Sequence, residues 1–154
     1  MRLSEIFNTK TDLIWSFDVN EYYSEFKIED RMYGVSAIEE EIDDFRTVRI
    51  DFHIKTDTGI SHDASNINSD AFKVLAIISN AVKSKFSEYD IIYFLAKKSN
   101  SDKEFGSRVK LYSRIVDKLK IENNRIAVKK EFDNEFLFAL CKTNAAHTAI
   151  LNFI

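Results

Sequence analysis

The sequence predicts an α+β domain, a mixed but mostly antiparallel sheet with two main amphipathic helices. Three observations carry this reading. Residues 47–55 alternate strictly, with Val48, Ile50, Phe52 and Ile54 on one side and Thr47, Arg49, Asp51, His53 and Lys55 on the other, the period of a half-buried strand. Residues 69–86 repeat their apolar side chains at helical spacing. Residues 90–97 (DIIYFLAK) form a short apolar run between two helical stretches, as a central strand covered on both faces does. At 154 residues, with no repeat, low-complexity tract or linker, the chain reads as one domain over 1–154.

The elements follow in order. Residues 13–19 place Leu13, Trp15, Phe17 and Val19 on one strand face, and 22–29 continue with Phe26 and Ile28. Residues 35–42 and 47–55 make a hairpin turned by Asp43-Asp44, without the usual glycine. A polar loop, 57–68, leads to Ser69, which suits the N-cap of the first helix. That helix carries Ala71, Phe72, Val74, Leu75, Ile78, Val82 and Phe86 on one arc, opposite Lys73, Asn80, Lys83 and Ser84. The second helix spans 101–119, with Ser101 and Glu104 as a capping box or, because of Gly106, a start at Ser107. Its apolar side is Val109, Leu111, Tyr112, Ile115, Val116 and Leu119. Asn123-Asn124 turns the chain into 125–131, and Asp133-Asn134 turns it into 135–142, a second hairpin. Residues 145–154 are an apolar docking tail with helical character. Because helices flank the central strand, part of the sheet is expected to be parallel.

Composition narrows the function classes. Hydrophobic residues make up 45% of the chain, including 13 Phe, which excludes disorder over its whole length. There is no proline and there are three glycines, where average usage gives roughly 8 and 11, so turns fall to Asn, Asp and Ser. Abundant Lys, Ile and Asn are what AT-rich codons favour. Cys141 has no second cysteine to pair with, which suits a reducing compartment. With no export-like opening at residues 1–5 and no apolar run near the roughly 20 residues of a membrane span, the cytoplasm is the expected location.

Charge is unevenly placed. Residues 18–51 hold 11 acidic and 4 basic side chains; residues 97–120 hold 8 basic and 3 acidic. Lys97, Lys98, Lys103, Arg108, Lys110, Arg114 and Lys118 are therefore the candidate surface for an anion or a partner, with Lys110, Arg114 and Lys118 at i, i+4, i+8. The alternative is a solvated helix face balanced by an acidic hairpin. The net charge of −3 argues against a dedicated nucleic-acid binder. Arg108 falls inside the apolar arc of its own helix, so it either snorkels or pairs with a carboxylate from the sheet, or else holds an anion near the helix start.

Asp51, His53, His62 and Asp63 invite a metal or acid–base reading, but their spacing matches no metal-ligand pattern, and no metal site is expected. His147 and Cys141 read as packing residues. There is no Gly-x-Ser-x-Gly, no Walker loop and no dinucleotide fingerprint.

From residue 47 onward, the succession hairpin, helix, central strand, helix, closing strand pair resembles the GNAT acetyltransferase superfamily. Ile91-Ile92-Tyr93-Phe94-Leu95, then Asn100, then Leu111-Tyr112 look like that family's strand, asparagine and Leu-Tyr sequence. The resemblance implies Asn100 near the pantetheine of acetyl-CoA and Tyr112 as the acid protonating the departing thiolate, in a cleft beside splayed strands. The family's glycine-rich pyrophosphate loop has no counterpart: residues 60–69 (ISHDASNINS) contain no glycine, and Lys120-Ile121 stands where the family has Gly-Phe. Ser107, Arg108, Leu111 and Tyr112 are also similar to a helix in small phage-encoded proteins, a likeness that implies no activity. The expected function is a non-enzymatic binding or regulatory protein without a cofactor, such as a phage accessory protein with a macromolecular, protein partner. One alternative is an acyl-CoA-dependent N-acyltransferase; a second is nucleotide or nucleic-acid binding through residues 97–120.

Overall fold

The computed structural model of the chain describes residues 13–56, 59–61, 71–97 and 102–153. Strands β1 (Ser16–Asp18), β2 (Glu21–Ile28), β3 (Arg31–Ile42), β4 (Phe45–Thr56) and β5 (Gly59–Ser61) precede helix α1 (Ala71–Lys85). Strand β6 (Ile91–Lys97), helix α2 (Asp102–Asn123), strands β7 (Ile126–Glu131) and β8 (Glu135–Cys141) and helix α3 (Asn144–Phe153) follow. The strands form one mixed sheet in the order β1-β2-β3-β4-β6-β8-β7, with β5 on β4. Among the described strands only β4 and β6 pair in parallel; the other pairs are antiparallel. This is the α+β class with a mixed, mostly antiparallel sheet.

Alternation decides the two faces. Val48, Ile50 and Phe52 of β4, Val35 and Ala37 of β3, Ile92 and Phe94 of β6 and Phe138 and Leu140 of β8 point to one side. There α1 contributes Val74, Ile78 and Val82, and α2 contributes Leu111, Tyr112, Ile115, Val116 and Leu119. The other side gathers Ile91, Tyr93, Leu137, Ala139 and Cys141 beneath Ala146, Ala149 and Ile150 of α3. The tail is thus a helix docked on its own sheet.

The turns use the chemistry available without glycine. Asp43 and Asp44 both have positive φ, 49° and 67°, which gives the two-residue hairpin the twist that neighbouring strands need. Gly34 is required for another reason. A Cβ there would stand 2.1 Å from Nε2 of His53, whose ring lies across the glycine on the neighbouring strand.

Several boundaries differ from expectation. The first strand covers Ser16–Asp18 only; Val19 sits in the following turn at φ 58° and is exposed, so the alternating face ends before it. β3 starts at Arg31, four residues early, because Gly34 interrupts the apolar pattern but not the strand. The polar loop contains β5, paired to Ile54–Thr56. In α1, Phe72 is 68% exposed while Ala76, Ser79 and Ala81 are buried, so the packed arc is rotated from the apolar one. Gly106 lies inside α2, which removes the later start, and the helix runs past Leu119 to Asn123. Ser69 and Ser101, the proposed caps, lie outside the described residues.

Candidate functional site

The geometry of the site begins with the edge of β4. Its Thr47–Ile50 stretch pairs with Ile91–Phe94 of β6, and Ile54–Thr56 pairs with β5. Between them, at residues 51–53, β6 has already parted from β4, and Leu95–Lys97 continue against β8 alone. A gap therefore opens in the sheet, with α2 across it.

Two residues of α2 one turn apart, Arg108 and Tyr112, point into this gap. Arg108 is only 6% exposed. Its Nη2 donates to the Phe52 carbonyl at 3.4 Å, and Nη1 lies 3.8 Å from Oδ1 of Asp51. Phe52 faces the helices and Asp51 the opposite side, so the guanidinium reaches through the gap between the strands. Tyr112 is fully buried, its ring 5.1 Å from that of Phe94. Its hydroxyl rests near the backbone of Phe52 without forming a well-directed hydrogen bond. Burial pushes the phenol up to about 12, opposed by nearby Arg108 and reinforced by Asp51.

The other predicted residues separate. Lys97, Lys110 and Arg114 are exposed and Lys118 is half-buried. Lys98 and Asn100 lie outside the described residues, as do His62 and Asp63 and the side chain of Lys103. Arg108 belongs to the sheet gap and not to the basic surface. His53 is buried: its ring stacks on Tyr23 at 5.7 Å, with Nε2 3.3 Å from the Tyr23 hydroxyl. That hydroxyl donates to Glu25 Oε1 at 2.9 Å, and Glu25 pairs with Lys55. Burial, then Glu25, lifts the Tyr23 phenol to about 12; bonds from Lys55 and Tyr23 hold Glu25 below the usual carboxylate range. Among the described residues no three His, Cys, Asp or Glu side chains converge as metal ligands.

Sequence reasoning missed two arrangements. The first is a shallow acidic depression lined by Asn20, Glu39, Glu40, Glu41, Asp44 and Arg46. Tyr89 donates to Glu39 and Tyr93 donates to Glu40, while Arg46 stacks over Tyr89 at 4.2 Å. The run of three glutamates was visible, but its tyrosine partners come from some 50 residues further on. The second is buried Arg125, which donates to the carbonyls of Ser87 and Tyr89 at 2.8 Å and of Asp90 and Leu140 at 3.5 Å. Beside it, burial raises the Cys141 thiol to about 11, which leaves it protonated and inert at neutral pH.

No known protein family, curated protein or solved structure matches this chain. Among the described residues no helix is long and apolar enough to cross a membrane.

Proposed function

We propose that this chain is a non-enzymatic binding or regulatory domain with a GNAT-like layout, acting in the cytoplasm on a protein partner, as a phage accessory protein does. The succession β3–β4 hairpin, α1, β6, α2, β7–β8 hairpin supports the layout, as does the parallel junction of β4 and β6. One observation carries the non-enzymatic reading. The space between the splayed strands, where acyl-CoA would enter, is taken by the Arg108 guanidinium, held by Asp51 and Phe52. Tyr112, the acid an acyltransferase would need in an open cleft, is sealed in the core, out of reach of a departing thiolate. The glycine-free stretch 60–69 supports the same reading, since backbone N–H groups approach a pyrophosphate closely only where side chains are absent.

The acyltransferase reading draws its support from the splay itself, since β4 and β6 part after Ile50 and Phe94. The two readings differ in a thermal unfolding experiment with and without acetyl-CoA. A ligand at about 100 times its Kd adds roughly 2.7 kcal/mol, several degrees in Tm for a chain of this size. No shift is expected. A saturable rise that Tyr112→Phe or Arg108→Ala alters would overturn the proposal.

A further inference from the structure

We infer that the outer face of α2 is a docking surface for an acidic amphipathic helix of another protein, one presenting carboxylates at one-turn spacing beside an apolar side chain. This rests on the partner-binding reading above and names the chemistry of the partner. Lys110 and Arg114 are exposed, Lys118 is half-buried, and none of the three makes an ion pair among the described residues. Their neighbours are engaged: Lys129 bonds Asp117 and Ser113, and Lys83 pairs with Glu122. The surface thus holds three uncommitted cations between committed ones.

Their spacing has a consequence for the partner. At 1.5 Å per residue, side chains four apart rise about 6 Å along the axis, the interval at which a partner helix presents glutamates at i, i+4 and i+8. Ile121 is 82% exposed and falls on the same face as Lys110 and Arg114, three turns beyond Lys110. Asp117, one turn before Ile121, is engaged by Lys129, so an exposed apolar side chain stands beyond a row of cations on one face, the composition of a small interface core with a charged rim.

The wider field points the same way. α1 carries Lys73, Lys83 and Lys85 and no carboxylate, whereas Glu39, Glu40, Glu41, Asp43 and Asp44 crowd the β3–β4 turn. Although the net charge is −3, the helical layer is basic and the hairpin end acidic. That separation steers an acidic partner toward the helices and orients it. A nucleic-acid strand fits less well: among the described side chains, no aromatic ring lies on the exposed face of α2 for a base to stack on.

The test is fluorescence anisotropy with a labelled synthetic helix bearing Glu at i, i+4 and i+8 beside a Leu. The same helix with Gln in place of Glu and a short single-stranded oligonucleotide serve as comparisons. The Glu helix is expected to bind saturably and to weaken as salt rises. The Lys110→Glu/Arg114→Glu variant is expected to weaken it by about tenfold or more, and Ile121→Asp by a similar factor. These positions are exposed, so unchanged unfolding midpoints separate lost binding from lost folding, and Lys110→Gln/Arg114→Gln gives a milder second variant. Absence of saturable binding, equal binding of the Gln helix, or tighter binding of the oligonucleotide overturns the inference. A flat acetyl-CoA response together with no peptide binding removes this surface and leaves the non-enzymatic reading standing.

Discussion

Arg125 offers the sharpest test of how the fold is held. It is buried, has no carboxylate within ion-pair distance among the described residues, and spends its donors on four carbonyls. Three of these, from Ser87, Tyr89 and Asp90, belong to the link between α1 and β6; the fourth, from Leu140, is in β8. Burial lowers the guanidinium pKa, yet it stays charged at neutral pH because the starting value is so high. Replacement by Met keeps the apolar stem and removes every donor. A hydrogen bond to a charged group contributes about 1.5–3 kcal/mol, and the two 2.8 Å bonds count most. Recovering the cost of burying the charge offsets part of this, leaving a loss of about 3 kcal/mol. At about 2–4 °C per kcal/mol for a chain of this size, Tm falls by about 6–12 °C. Arg125→Lys is expected to lie between, since three ammonium hydrogens cannot serve four carbonyls. Urea unfolding followed by tryptophan fluorescence and by circular dichroism measures both variants. A loss below about 1 kcal/mol for Arg125→Met would refute the clamp.

Three further outcomes follow from the same geometry. Tyr112→Phe removes a buried hydroxyl without a good partner, so stability at pH 7 is expected to hold or rise by about 1 kcal/mol. The Tyr112 phenol has a folded pKa near 12 against about 10 unfolded, so its contribution is fully present below pH 10 and lost as pH climbs toward 12. Urea midpoints at pH 7 and pH 11 are therefore expected to differ less in Tyr112→Phe than in the parent. Gly106→Ala places a methyl in open space within α2 and is expected to raise stability by about 0.5–1 kcal/mol in the same assay. Asp44→Gly relieves a left-handed aspartate at φ 67° and is expected to add about 1 kcal/mol, read as a higher Tm.

What the sequence made legible was whatever burial writes into periodicity. The strict alternation of 47–55 and the helical arcs of α1 and α2 each report a packed face, and the described apolar positions pack apart from Phe72. But Thr47 and His53 on the other side of β4 are buried as well, and α1 also buries Ala76, Ser79 and Ala81. Alternation failed at Val19 because a turn can extend an apolar pattern beyond the last paired residue. It failed at Gly34 because glycine breaks the pattern while the backbone goes on pairing. For the candidate site, Arg108 was conspicuous as a cation in an apolar arc. Its partners were not, since Asp51 and Phe52 lie more than 50 residues earlier and meet it only because β6 parts from β4. Arg125 gave no signal at all, because main-chain carbonyls are the same in every sequence.

The parallel junction that defines the sheet is four residue pairs long, from Thr47↔Ile91 to Ile50↔Phe94. On either side of it stand two antiparallel ribbons, β1–β4 with β5, and β6–β8–β7. Strands within the first ribbon are neighbours in sequence, so they can pair early and at low entropic cost. Pairing β6 with β8 and pairing β4 with β6 both bring together segments roughly 40–50 residues apart, so both are expected after the first ribbon, and of the two the four-pair suture is the shorter. In native-state hydrogen exchange the molecule should open along it: the amides of Val48 and Ile92 are expected to lose protection before those deep within either ribbon, which makes the domain two cooperative units sharing one seam.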